Sequence, residues 1–213
     1  MFVELVDQLR CVRPHDESWL VASAERTEER DIVEGVLGCP ICHAEYRITN
    51  SVAHFAVRNV TAGDASAVAP DEAEALRLAA LLDLIDSRGY VILTGRLGAH
   101  ARLMQRFSGA HLLLVNPPPG IAWGGGISGL TAEDAFSLAA GSARAAALDD
   151  GTTETELRSA VATVRQGGRL VAPVTLAPPP GVTELARDER RWVAERAASP
   201  VPPRLLTLRR DRP

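Results

Sequence analysis

The sequence predicts an α/β chain: a small metal-held β module, then a mostly parallel sheet with flanking helices. Three observations lead there. All three cysteines of the 213 residues fall in two short segments, Cys11-Val12-Arg13-Pro14-His15 and Cys39-Pro40-Ile41-Cys42. Two continuous apolar runs of strand length, at 90–94 and 111–115, flank a glycine-bearing turn and a helical stretch, which suits parallel strands buried on both faces. The charge also changes along the chain. Residues 1–57 carry ten acids against five arginines, and the rest 17 acids against 18 arginines. The expected division is a β module over 1–60, a linker over 61–70 rich in Ala, Gly, Ser and Asp, and an α/β domain over 71–213.

In the first module, Phe2, Leu5, Val6 and Leu9 recur at helical spacing, predicting a short amphipathic helix that delivers Cys11. Strands are expected at 18–24, 33–37, 46–49 and 52–57, with the charged stretch 25–34 as a solvated excursion and Asn50-Ser51 as a turn. Cys11, His15, Cys39 and Cys42 supply four soft ligands. Structural zinc takes four thiolate and imidazole ligands in a tetrahedron, which leaves no open position for catalysis. Strands this short have too little core to fold without the metal, so the expected role of zinc is structural. His43, beside Cys42, points off the knuckle and ranks behind His15.

From residue 71 the helical pattern returns, with Ala75, Leu78, Ala79, Leu82 and Ile85 on one face, predicting a helix over 71–87 that Gly89 ends. Strand 90–94 then feeds Gly95-Arg96-Leu97-Gly98, a helix over 99–107 and strand 111–115, the opening of a Rossmann-type unit. In such a unit the ligand lies at the C-terminal strand ends. Gly95 and Gly98 would let the backbone approach it, and Asn116 stands where a ribose-binding acid is expected. Residues 120–130, with Trp123-Gly124-Gly125-Gly126, read as a flexible lid or partner-contact loop anchored by Trp123. Thr131-x-x-Asp134 predicts the capped start of a helix to about 140. A strand over 143–148 ends in Asp149-Asp150, an amphipathic helix covers 153–164, and a Gly167-Gly168 turn leads into a further strand. A helix over 182–197 carrying Trp192 and a strand over 204–209 complete the reading.

The order of residues in the first module, an apolar helix into Cys11, then Gly38-Cys39-Pro40-Ile41-Cys42, Glu45-Tyr46-Arg47-Ile48 and Val52-Ala53-His54-Phe55, resembles the zinc-ribbon subunit that activates methyltransferases acting on tRNA, rRNA and translation release factors. The resemblance covers about residues 1–57. It implies that the module works by packing on a methyltransferase domain, so a methyltransferase or translation-related protein is the implied partner. From 71 onward the order of elements and the Gly-Gly turn resemble a shortened, degenerate class I S-adenosylmethionine-dependent methyltransferase. That resemblance implies S-adenosylmethionine over Gly95 and Gly98, with Asn116 near its ribose and Asp149 near the reacting end. Asn116-Pro117-Pro118 is similar to the Asn-Pro-Pro-aromatic motif of amino-group methyltransferases, but it comes one strand early and Pro119 fills the aromatic place.

Two functions follow. In one, the α/β unit is a degenerate scaffold and the protein an interaction or regulatory subunit linked to methyltransferases; in the other, it is an active methyltransferase with a built-in activator. No acid follows strand 90–94, none follows strand 111–115, and glycines are few, all of which favours the scaffold. The catalytic residues of the enzyme reading are not identified by any motif. The acidic first module is unsuited to nucleic acid, where affinity comes largely from cations neutralising phosphates. With no apolar run of bilayer length, no basic leader and three cysteines placed as ligands, the expected location is the cytoplasm.

Overall fold

The computed structural model describes residues 1–55, 68–85, 89–133 and 135–198. Its strands are β1 (Val21–Glu28), β2 (Asp31–Gly38), β3 (Glu45–Thr49), β4 (Val52–His54), β5 (Tyr90–Thr94), β6 (His111–Val115), β7 (Ile127–Thr131), β8 (Ala143–Ala147), β9 (Val164–Pro173), β10 (Val182–Arg187) and β11 (Arg191–Arg196). Helices α1 (Glu72–Leu81), α2 (Ala101–Ser108) and α3 (Glu154–Thr163) accompany them, with 3-10 turns at Val3–Gln8 and Gly95–His100. All eleven strands belong to one sheet, in the order β1-β2-β3-β4-β7-β6-β5-β8-β9-β11-β10.

From β7 to β10 this is a mostly parallel, doubly wound, Rossmann-like α/β sheet. The run β7-β6-β5-β8-β9 is parallel, and the direction of winding reverses between β5 and β8. The antiparallel hairpin β10–β11 closes it, with β11 set against β9. Successive residues of the central strands serve opposite faces, as a pleat requires. Val91, Leu93, Leu112 and Leu114 meet α1 and α2, while Ile92, Leu113 and Val115 face the side covered by α3 and the N-terminal segment.

The first module is built into the same sheet. Asn50 and Ser51 both adopt positive φ (49° and 64°), forming the two-residue turn that joins β3 to β4. Strand β4 then runs parallel to β7, pairing Val52 with Gly129, Ala53 with Leu130 and His54 with Thr131. The N-terminal segment covers a face that would otherwise need a helix: Leu5 and Leu9 are fully buried, Leu9 bridges to Leu138, and Arg10 N–H donates to the Ser137 carbonyl. Burying each of these leucines contributes about 1.5–3 kcal/mol.

Several expectations are corrected. Residues 3–8 form a 3-10 turn and not an α-helix, because the strand-like bridges at Phe2 and Leu9 pin both ends. The charged stretch 25–34 is the tip of the β1–β2 hairpin, with Glu29 (φ 53°) in the turn. Helix α1 stops at Leu81, where Asp83 takes a left-handed conformation (φ 56°). No helix is capped at Thr131; that residue ends β7, whose Ile127 and Leu130 are fully buried between β4 and β6. Asp134 lies outside the described residues.

The stretch 182–197 is a hairpin and not a helix. The Asp188 carboxylate accepts the N–H groups of Arg190 and Arg191 (2.7 Å each), forming the turn, and Trp192, Val193 and Ala194 are buried on both faces of β11. Tertiary burial overrides the helical propensity of an Ala-, Glu- and Arg-rich segment. Residues 61–67 of the expected 61–70 linker and the strand expected over 204–209 lie outside the described residues, as do residues 56 and 57 of the fourth expected strand.

Candidate functional site

Two places gather chemistry. The first is the pair of knuckles. Arg10 bridges to Trp19, and Cys11 N–H donates to the Ser18 carbonyl (3.1 Å), closing a loop that presents Cys11 and His15. Across from it, Gly38 leads β2 into Cys39-Pro40-Ile41-Cys42, where His43 (φ 57°) donates its N–H back to the Cys39 carbonyl and stays out of the cluster. The ligand atoms of Cys11, His15, Cys39 and Cys42 all lie within 4.8 Å of one another. Cys11 Sγ is 3.6 Å from Cys42 Sγ, and Cys39 Sγ is 3.4 Å from His15 Nε2. Metal–sulfur bonds of about 2.3 Å and metal–nitrogen bonds of about 2.0 Å put tetrahedral edges at about 3.7 and 3.5 Å. Those two edges stand close to tetrahedral separations, and the four side chains are gathered closely enough that they could hold one metal ion.

Their surroundings fit deprotonated ligands. Burial pushes the Cys39 thiol up, but the backbone N–H groups of Cys42 and Ile41 outweigh it and bring it down to about 6. Cys11 is opposed by burial and lowered on balance by the Tyr46 hydroxyl and the Arg13 N–H. His15 Nδ1 meets the Asp16 carbonyl at 2.6 Å, which leaves Nε2 toward the sulfurs. Tyr46, whose hydroxyl is 3.2 Å from Cys11 Sγ, was not among the residues expected from sequence.

The second place is the crevice beyond the C-terminal ends of β5 and β8, where the winding reverses and doubly wound sheets bind ligands. A cavity of about 340 Å³ opens there, lined among others by Glu74, Arg96, Leu97, His100, Asp149 and Asp150. Gly95 takes φ 48°, and a Cβ on it would lie 2.0 Å from Asp149 Oδ2. The Asp149 carboxylate lies over the turn and is fully engaged. Oδ2 accepts the Arg96 N–H (2.9 Å), and Oδ1 accepts the Gly151 N–H (3.2 Å) and the Thr152 hydroxyl (3.3 Å). Asp149 N–H in turn donates to Thr94 Oγ1 (2.9 Å), tying β8 to β5.

Of the four residues expected around a cofactor, the structure therefore brings Gly95 and Asp149 into contact. A Cβ on Gly98 would meet Pro118 and Leu114 at 3.4 and 3.5 Å, so its open side faces the chain itself. Asn116 (φ 49°) spends its amide on the chain itself: Oδ1 accepts the Ala132 N–H and Nδ2 donates to the Ala132 carbonyl, both at 2.9 Å. Sequence reading missed the rest of the wall. Arg191, on the far hairpin, pairs with Glu74 of α1, and the Asp71 N–H donates to His100 Nδ1 (3.1 Å); only the topology places these beside Asp149. Burial lowers the pKa of His100.

No family model and no curated protein matches the chain. Among solved structures, similarity is found to a putative S-adenosylmethionine-dependent methyltransferase of Methanococcus maripaludis (9% identity over 61% of this chain and 86% of that one, TM-score 0.46). A Corynebacterium glutamicum protein shows 15% identity over 62% and 84%, with TM-score 0.45. The geranyl diphosphate C-methyltransferase of Streptomyces coelicolor, solved with Mg2+, geranyl diphosphate and S-adenosyl-L-homocysteine, shows 14% identity over 47% and 44%, with TM-score 0.41. The chain spans under half the length of this last protein. The strand order itself is that of a doubly wound, Rossmann-like sheet.

Proposed function

We propose that the protein is a zinc-stapled, methyltransferase-like scaffold that works through interactions with methyltransferase or translation-related proteins and does not itself use S-adenosylmethionine. The observation that carries this reading is the Asp149 carboxylate lying over the Gly95 turn and occupying the Arg96 N–H, the group a cofactor would approach. The engagement of both ends of the Asn116 amide with Ala132 supports it, since it holds this side chain against its own chain.

In this reading Cys11, His15, Cys39 and Cys42 hold zinc, which closes the two knuckles and supplies no open coordination position. The first module does within its own chain what the resembled activator subunit does for a separate methyltransferase, covering apolar surface with Leu5 and Leu9 on the open face, and its β4 pairs with β7. Among the described residues no helix is long and apolar enough to cross a membrane. Three free thiols are consistent with a reducing compartment such as the cytoplasm.

The cavity at the strand ends favours a second reading, an active S-adenosylmethionine-dependent methyltransferase with a built-in activator. Methyl transfer needs mainly alignment of the acceptor with the sulfonium methyl, so few catalytic side chains are required. Calorimetric titration of the zinc-loaded protein with S-adenosylmethionine separates the two. The scaffold reading predicts no heat at millimolar ligand; micromolar binding that Gly95→Val abolishes would sink it.

A further inference from the structure

The three sulfurs of the metal cluster are not held alike. In a Cys-x-x-Cys knuckle the first thiolate is steadied by N–H groups of the residues two and three positions on. Cys39 has both, from Ile41 and Cys42. Cys42 has the N–H of Ala44, two positions on. Cys11 has only one of the pair: the Arg13 N–H reaches it at 3.5 Å, and the residue three positions on is Pro14, which has no N–H. A thiolate in a metal site without its share of donors is a weaker and less well oriented ligand.

We infer that Tyr46 supplies the hydrogen bond that Pro14 cannot, and is the positioning residue that fixes Cys11 on the metal. Its hydroxyl lies 3.2 Å from Cys11 Sγ, and with Cys11 as a metal-bound thiolate the hydroxyl is the donor. The side chain comes from β3, whose inward positions are Tyr46 and Ile48, so the alternation of the strand aims it at the knuckles. Only 7% of the residue is exposed. Its ring packs against Phe55 with centroids 4.7 Å apart and planes at 38°, which fixes where the hydroxyl can reach. Tyr46 thereby couples the metal centre to the β3–β4 unit that pairs with β7. The inference rests on the reading of the cluster as a zinc site.

The test compares the zinc affinity of the wild type, Tyr46→Phe, Pro14→Ala and the double variant, by competition against a chromogenic chelator. The cobalt-loaded forms report thiolate coordination through the sulfur-to-metal charge-transfer band. Tyr46→Phe keeps the ring and should bind zinc about 10-fold more weakly, the low end of what loss of an outer hydrogen bond to a ligand costs. Pro14→Ala alone should change affinity little. In the Tyr46→Phe background it should recover most of the loss, because it restores an N–H three residues beyond Cys11; a role for Tyr46 in packing alone would not be rescued this way. Equal affinity of wild type and Tyr46→Phe, or a loss that Pro14→Ala leaves unchanged, overturns the inference. A wild type that holds no zinc overturns the reading of the cluster itself and the inference with it.

Discussion

Gly129 is where the first module meets the parallel sheet, and replacing it with alanine tests that seam. The residue sits on β7 opposite Val52 of β4 and has an ordinary strand conformation, so a side chain brings no backbone strain. Space is what it lacks. A Cβ there would lie 2.7 Å from Trp123 Cη2, 2.8 Å from Trp123 Cζ3 and 3.0 Å from Val52 Cγ2. Two of these are ring atoms of a half-buried indole, which can swing out only by leaving its place over β7. Overpacking of this kind costs about 1–3 kcal/mol. In a domain near 200 residues each kcal/mol lowers Tm by about 2–4 °C, so Gly129→Ala should melt about 2–12 °C lower.

Urea unfolding followed by circular dichroism gives the free energy. Trp123→Ala combined with Gly129→Ala isolates the clash, because removing the ring should leave the added methyl almost without cost, a coupling of at least about 1 kcal/mol. A Gly129→Ala protein within about 0.5 kcal/mol of wild type, or an additive double variant, would refute the packing of the seam described above.

Further expectations follow from the other sites. Asn116→Asp replaces the amide that donates to the Ala132 carbonyl with a carboxylate that cannot, and should cost about 1–3 kcal/mol in urea unfolding; a neutral result would show that the β6–β7 strand ends do not depend on this side chain. Trp192→Ala removes a fully buried ring whose Nε1 donates to the Leu176 carbonyl (2.7 Å), and should cost about 3–5 kcal/mol. In the metal-free protein the Cys39 contribution to stability should fall as pH falls: against burial, backbone N–H groups bring its thiol down to about 6 from 9.0, so the contribution is complete above about pH 9 and is lost as pH drops through 6. Cys42 and His15, both raised, act in the opposite sense, so the difference between wild type and Cys39→Ser in urea midpoints of apo protein at pH 6 and pH 9 checks the sign; a difference that does not grow toward pH 9 refutes it.

The sequence made the core strands and the metal cluster legible for physical reasons that are easy to state. Strands β5 and β6 are buried on both faces and so read as unbroken apolar runs, and the knuckle residues declare themselves by type and spacing. Helix α3 was legible from its amphipathic pattern, and the structure gives it a capping box between Thr153 and Glu156. β7 was hidden because its glycine, needed beside Trp123, made Ile127–Thr131 look like part of a loop. β10 and β11 were hidden because charged residues at either end of a short buried core, Trp192-Val193-Ala194, imitate a helix. At the strand-end crevice, type and spacing pointed to Gly95 and Asp149, but whether they face a ligand or each other depends on how β8 lies beside β5, which no local pattern encodes. Tyr46 was read only as a strand residue; its alternation with Ile48 was the available signal that it faces inward.

The central claim is that the metal-bearing module is an integral part of the methyltransferase-like sheet, joined to it along β4 and β7. Amide hydrogen exchange of the zinc-loaded and zinc-stripped protein, read by mass spectrometry over peptides covering 127–131, tests it most directly. The Gly129 N–H donates to the Ser51 carbonyl and the Phe55 N–H to the Thr131 carbonyl, so these bonds hold only while the module is in place. The account predicts that stripping zinc sharply raises exchange in this segment while β5, in the middle of the sheet, stays more protected. Unchanged protection of β7 after the metal is removed would contradict it.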